Sequence, residues 1–159
     1  MGQISSEVER RLAALGFVLP EASAPLANYA PAVRSGANLY ISGQLPFDAM
    51  GALADAHKGK VGAEVDEAAA KAAAALCVLN CLAQAKLILG DLGRIGQCVR
   101  LGGFINCAAD FTRLAVVMNG ASDCMAAALG GAHARSTIGV AQLPLGACIE
   151  VEALFEIAP

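Results

Sequence analysis

The sequence contains no tryptophan, only two tyrosines, and few charged residues, which make up 16% of its 159 residues. It has no run of lysine and arginine, and its formal net charge is −3. Nucleic-acid-binding domains normally combine a basic patch with aromatic side chains that stack on bases. The composition therefore argues against a nucleic-acid partner.

The sequence also lacks the usual signals of zinc binding, secretion and membrane insertion. It has six cysteines, but no CxxC pair and no histidine that completes a ligand set. Charged residues stand where a signal peptide has its apolar stretch, and no run reaches the ~18 uncharged residues of a spanning helix. We therefore expect a cytoplasmic protein with reduced, buried thiols, no metal and no membrane contact.

What the sequence has in excess is apolar residues, at 57% of the chain. The length favours a single domain over residues 1–159, with an added N-terminal helix at about residues 5–16. Ser6 and Glu9 form a capping-box pattern at the start of that helix. The apolar excess is more than a monomer covers easily, which indicates a homo-oligomer.

The order of predicted elements is typical of an α+β fold. An alanine-rich stretch at residues 62–90 predicts one long helix, and residues 110–129 predict either one helix or a pair broken around Asn119 and Gly120. Strands are predicted before, between and after these helices. We therefore predict one mainly antiparallel or mixed sheet with two main helices on one face, and an oligomer partner could cover the other face.

The last two predicted strands, ARSTIGV and IEVEALFEI, carry charges at unusual places. Alternation puts Arg135, Thr137 and Gly139 on one face of the first strand, and Glu150 and Glu152 on one face of the second. Arg135 is either a surface cation or a planar fork that holds a carboxylate. The glutamates lie either on the solvent-exposed face of a sheet that is buried on its other face, or at a site where one of them positions water.

The spacing between these two strands does not bring the charges together. A simple hairpin through the Pro144–Gly146 turn pairs Glu150 near Gly139, and not with Arg135. The two histidines, His57 and His133, have no matching acid or nucleophile and are interpreted as surface or packing residues. A bulge, the long arginine side chain or a subunit interface is needed to join Arg135 and Glu150.

Several segments together resemble the Rid/YjgF family of reactive-intermediate deaminases. They are Tyr29, LYISGQLP at residues 39–46, the long helix, DF at residues 110–111, Asn119, and ARSTIGVAQLP followed by IEVEALFEI. The order and spacing of these motifs fit over residues 29–157, which leaves the N-terminal helix as an addition. The resemblance implies a bacterial chorismate mutase-like fold, assembled as a homotrimer with a barrel-like centre and ligand clefts between subunits.

The implied reaction is hydrolysis of a 2-imino acid to a 2-keto acid and ammonia, without a cofactor. By this resemblance Arg135 clamps the substrate carboxylate, and Glu150 orients or activates water. The substrate-binding residues implied by the resemblance are Tyr29, Ser42, Gly43, Asn119 and the backbone at Thr137. A small 2-imino or 2-keto acid and further copies of the chain are the expected partners.

The chain departs from the common family pattern at two positions beside the arginine. His133 stands where proline is usual before AR, and Thr137 where cysteine is usual after ARS. These departures indicate a divergent subgroup, so two alternatives remain open. One is a non-catalytic protein that binds small carboxylates on the same trimeric scaffold. The other, less favoured by the charge, is an endoribonuclease or translation inhibitor.

Overall fold

The computed structural model describes residues 6–24 and 28–159. Short 3-10 turns connect some of the helices and strands. The main elements are α1 (Glu7–Ala14), β1 (Ala32–Ser35), β2 (Asn38–Gln44), α2 (Glu67–Leu89), β3 (Ile95–Asn106), α3 (Leu114–Leu129), β4 (Ala134–Val140) and β5 (Ile149–Ile157). This is the predicted α+β arrangement, with one mixed sheet.

The five strands lie in the order β1-β2-β5-β3-β4. All neighbouring pairs are antiparallel except β3 and β4, which are parallel. The hairpin expected between the last two strands is therefore wrong, because β3 lies between β4 and β5. Strand β3 pairs through Leu101 with Arg135 of β4 on one side and with Ala153 of β5 on the other.

Helix α1 begins where the capping-box pattern predicts. The Ser6 side chain accepts a hydrogen bond from the Glu9 amide, and the Glu9 carboxylate accepts one from the Ser6 amide. Val8 and Leu12 are buried, and the helix packs on α3. The predicted start near residue 5 lies outside the described residues, and the helix ends at Ala14, two residues before the expected end.

Helix α2 runs through the centre of the helical layer. Asp66 caps its start by accepting from the Ala69 amide, and Gly90, with φ +78°, ends it. By length and composition α2 could cross a membrane, but 72% of its most apolar stretch is buried inside the fold. That burial identifies it as the core helix of the domain.

Helix α3 is one continuous helix, so the alternative of a break around Asn119 and Gly120 is wrong. The glycine there has a packing role. A Cβ atom on Gly120 would overlap with the backbone carbonyl of Lys71 on α2. The absence of a side chain therefore lets the two helices approach closely, which positions α3 beside β3 and β4.

The two faces of the sheet differ in what covers them. One face carries buried residues such as Leu101, Ile149 and Phe155 and packs against the helices. The opposite face, which we call the open face, carries apolar side chains from all five strands, and three of them are about half exposed. These are Val33 at 53%, Tyr40 at 49% and Ile138 at 51%. The helices lie on one face of the sheet, as predicted.

Candidate functional site

Arg135 lies on the helix-covered face of β4 and contacts α3. Its Nη1 donates to Ser122 Oγ at 2.9 Å, and its Nη2 donates to the carbonyl of Ala115 at 3.3 Å. These two bonds hold the plane of the guanidinium against the helix. A guanidinium has five N–H donors, so it keeps donors for an anion.

Asn119 and Thr137 share element faces with the residues of this contact. Ala115, Asn119 and Ser122 are spaced four and three residues apart, so they share one face of α3. Thr137 shares the Arg135 face of β4, and its Oγ1 is buried with no hydrogen-bond partner among the described residues. A buried hydroxyl without a partner is costly, and it is suited to a bound ligand that completes its hydrogen bonding. We call Arg135, Asn119 and Thr137 the arginine half-site.

Glu150 lies on the open face of β5 and approaches the bulge in β2. A Cβ atom on Gly43 would overlap with Oε1 of Glu150, so only glycine leaves room for the carboxylate there. Within the described ranges, no protein group donates a hydrogen bond to Glu150, whereas its neighbour Glu152 accepts from Arg100 Nη1 at 3.1 Å. The Glu150 carboxylate is therefore free to bind water or a ligand.

Ser42 connects the segment around Tyr29 to the same region. Its Oγ donates to the carbonyl of Ala30 at 2.9 Å, and its amide donates to the carbonyl of Pro31 at 3.0 Å. Tyr29 and Gly43 line a cavity of about 20 Å³, enough for one water molecule. We call Tyr29, Ser42, Gly43 and Glu150 the glutamate half-site.

That cavity contains a polar group that the sequence reading missed. Gln84 of α2 is 1% exposed, and its Nε2 donates to the carbonyl of Ser23 at 2.7 Å. Its Oε1 is buried and has no partner within residues 6–24 and 28–159. A glutamine inside an apolar helix is a sequence signal for such a buried polar contact, because glutamine is costly there unless it is hydrogen bonded.

The environment of Glu150 changes its acidity. Burial raises the pKa of the Glu150 carboxyl, and the negative charge of Glu152 raises that pKa further. The proton affinity of a carboxylate increases when water is removed from it and when a like charge is near. Glu150 is therefore a stronger base than an ordinary surface glutamate.

The two half-sites lie on opposite faces of the sheet within one chain. Cross-strand partners point to the same face of a sheet. Arg135 aligns with Leu101 of β3, and Glu150 aligns with Phe104 of the same strand. Because these two β3 residues are three positions apart, they point to opposite faces. Two strand spacings and three residues of rise separate the two Cα atoms by about 14 Å. One small acid cannot reach both side chains of a single chain.

Replacing Glu150 by glutamine is expected to stabilise the fold near neutral pH. Because the pKa of Glu150 is raised in the folded chain, its ionised form is less favourable there than in the unfolded chain. The stability given by the protonated carboxyl is complete below the unfolded pKa and is lost as pH rises through the raised folded pKa. Solvent screening of this partly exposed group limits the gain to about 1 kcal/mol, or a melting temperature ~2–4 °C higher.

Thermal melts near neutral pH and near pH 4 check this expectation, and the advantage of Glu150→Gln should shrink at the lower pH. Glu156→Gln is the matched control, because Glu156 is exposed on the same face of the same strand. An equal gain from both variants would show that the effect comes from the net charge of the chain and not from the site.

Ser122 and His133 were also missed as site residues. The His133 ring nitrogen Nε2 lies 3.0 Å from Ser122 Oγ, so the histidine takes part in the contacts around Arg135. The signal was present in the spacing. His133 directly precedes β4 and continues the alternation of Arg135 and Thr137, and Ser122 follows Asn119 by about one helical turn.

The described residues contain no group of three histidine, cysteine or acidic side chains that could hold a metal ion. All six cysteines are free thiols; burial was predicted for them, and five are buried whereas Cys107 is partly exposed. Burial raises the pKa of Cys98 and of Cys124 to about 12. Thiols of this kind stay protonated, so they are poor nucleophiles and poor metal ligands.

Comparison with known proteins agrees with this arrangement of elements. A family model described as "YjgF/chorismate mutase-like, putative endoribonuclease" matches residues 9–156. A crystal structure of a protein of unknown function from Agrobacterium tumefaciens is 44% identical, with a TM-score of 0.86, and the match covers 96% of this chain and 94% of that chain. Protein TCP17 of Trypanosoma cruzi is 42% identical over 156 residues, or 96% of each chain. RidA from an Antarctic Psychrobacter is 28% identical, with a TM-score of 0.60, and the match covers 86% of this chain and 94% of that chain.

Proposed function

Because this chain belongs to the YjgF/chorismate mutase-like family, we propose that it hydrolyses 2-imino acids to 2-keto acids and ammonia at a site shared by two subunits. The observation that carries the proposal is the pair of half-sites, each with a polar group that has no partner in the part of the chain that the structure describes. These groups are Thr137 Oγ1 in one half-site and the Glu150 carboxylate, which accepts no hydrogen bond there, in the other. The likeness to a protein described as RidA supports the same reading.

The arginine half-site binds the substrate carboxylate in this proposal. Arg135 is fixed by Ser122 and Ala115, so a planar anion meets a preformed donor fork. Thr137 Oγ1 donates the hydrogen bond that it lacks in the free protein, and Asn119 lies on the same side. Fixing the carboxylate fixes the position of the neighbouring imine carbon, which lowers the entropic part of the barrier.

The glutamate half-site supplies water to that carbon. Glu150 accepts a proton from water as the water oxygen bonds to C2 of the imine, and it returns that proton to the nitrogen as the C2–N double bond becomes single. In the resulting carbinolamine Glu150 takes the hydroxyl proton and passes it to the amine nitrogen, so that ammonia leaves as the C2–N bond breaks and the C2–O double bond forms. Water and imine are consumed, and one keto acid and one ammonia are released, so no oxidant or organic cofactor enters the balance.

A subunit contact brings the two half-sites together in this proposal. The open face exposes apolar side chains, including Val33, Tyr40 and Ile138, that a second copy of the chain can cover. The edge formed by β4 and α3 then places its Arg135 over the Glu150 of a neighbour. We propose a homotrimer because a closed ring uses one such heterologous contact at every interface.

The direct test generates 2-iminobutyrate in the presence of the purified protein and follows its decay against a blank without protein. We expect faster decay with formation of 2-ketobutyrate and ammonia in equal amounts. Saturable binding of 2-ketobutyrate without faster imine decay would show that the protein binds small carboxylates but does not catalyse the hydrolysis. Neither binding nor acceleration, with RNA cleavage that is lost in a site variant, would favour the endoribonuclease alternative.

A further inference from the structure

A chain of hydrogen bonds connects His133 to Arg135 through Ser122. Ser122 Oγ lies 2.9 Å from Arg135 Nη1 and 3.0 Å from His133 Nε2. The guanidinium can only donate, so the serine oxygen accepts from it. The single hydroxyl proton of Ser122 is then available to His133, whose Nε2 accepts it when the ring is neutral.

We propose that Ser122 and His133 are positioning residues for Arg135, and that carboxylate binding at Arg135 is coupled to protonation of His133. This inference rests on one part of the proposed function, namely that Arg135 binds a carboxylate. Ser122 holds the fork, and the histidine orients the lone pairs of Ser122 toward that fork. This gives a role to His133, which the sequence alone suggested to be a surface or packing residue.

Arg135 is the charged residue with the largest effect on His133, because the other charged residues on the neighbouring elements form ion pairs of their own. On α3, Asp123 is the only charged residue, and it pairs with Lys71 of α2 at 3.3 Å. On β3, Arg100 pairs with Glu152 on the open face. Burial lowers the pKa of His133, and the positive charge of Arg135 lowers that pKa further.

A bound anion reverses part of this effect. The carboxylate neutralises the charge of Arg135, so the imidazolium form of His133 becomes less unfavourable and its pKa rises. By linkage, the protonated protein then binds the carboxylate more tightly. We expect the affinity for 2-ketobutyrate to increase about 2- to 5-fold as pH falls through the pKa of His133.

The experiment follows the two histidine ring signals by NMR during pH titrations, with and without saturating 2-ketobutyrate. The His133 midpoint should move up when the ligand is bound. The His57 midpoint is the internal control and should not move, because that ring lies in a separate turn between β2 and α2. A His133 midpoint that is unchanged by bound 2-ketobutyrate would overturn the coupling.

Two variants test the positioning role. Ser122→Ala should weaken 2-ketobutyrate binding about 3- to 10-fold, the usual effect of one lost hydrogen bond. Ser136→Ala is the matched control, because Ser136 is exposed beside Arg135 and points to the opposite face. His133→Gln keeps an acceptor that does not titrate, so it should remove the His133 part of the pH dependence and leave any part due to Glu150.

These outcomes separate the inference from the proposed function. If the wild type binds 2-ketobutyrate and Ser122→Ala binds it equally well, the inference fails while the carboxylate site stands. If the wild type binds no 2-ketobutyrate, the proposed function fails, and the contact is then tested by Arg135→Gln. Removing the guanidinium charge should raise the His133 midpoint, and an unchanged midpoint in that variant would also overturn the inference.

Discussion

Replacing Arg135 by alanine is expected to lower kcat/KM for 2-iminobutyrate about 100- to 1,000-fold, because two charge-assisted hydrogen bonds to the carboxylate are lost. Binding of 2-ketobutyrate should weaken in parallel, since substrate and product share the carboxylate. Arg135→Lys keeps the charge but not the planar fork, and we expect only partial recovery. Imine decay and calorimetric binding measure both effects.

Arg34→Ala is the matched control for this experiment. Arg34 is exposed on β1, where its Nε donates to the carbonyl of Gly36 at 3.1 Å. The loss of this arginine should leave turnover within about twofold of the wild type, as is usual for exposed surface positions. Wild-type turnover in Arg135→Ala, with a normal melting temperature, would show that the substrate carboxylate is bound elsewhere.

Mixing two inactive variants is expected to restore activity, which is the second large effect. Arg135→Ala lacks the fork but keeps the Glu150 half-site, and Glu150→Gln has the opposite defect. If each site takes Arg135 from one subunit and Glu150 from its neighbour, some sites in mixed oligomers receive both intact halves. Random mixing gives about one quarter of the wild-type sites, the product of two probabilities of about one half.

The measurement co-expresses the two variants with different affinity tags and isolates oligomers that carry both tags. Activity should rise from near zero in each parent to a substantial fraction of the wild type. The double variant Arg135→Ala/Glu150→Gln, mixed with wild type at the same ratio, controls for simple dilution. If the mixed oligomers stay inactive although subunit exchange has been demonstrated, the two residues of one site come from the same chain. That result would contradict the shared site that we infer from the placement of the half-sites on opposite faces of the sheet.

Local sequence features predicted the helices, although α2 begins at Glu67 and not at residue 62, and α3 begins at Leu114 and not at residue 110. The capping box at Ser6 and Glu9, the Asp66 cap and the glycine end of α2 act through contacts within a few residues. A composition rich in alanine further favours the long helix. The sequence leaves open whether α3 is continuous, because Gly120 disfavours helix locally and is required only by the close approach of Lys71 on α2.

Strand pairing could not be predicted in the same way. A short turn around Pro144–Gly146 favours a hairpin, but β4 instead pairs in parallel with β3 and leaves β5 on the other side of β3. That choice depends on contacts far apart in the chain, including those of α3 with β3 and β4. Parallel pairing through a crossover helix leaves little trace in the sequence of the turn.

For the site, the sequence by itself determined which residue types are present and which of them share a strand face. Alternation grouped Arg135 with Thr137 and Glu150 with Glu152, and the structure has both groupings. Only the tertiary structure decided that the first group faces α3 and the second faces the open side of the sheet. The physical reason is that alternation fixes side chains relative to their own strand, whereas packing between distant elements decides which side of that strand is covered.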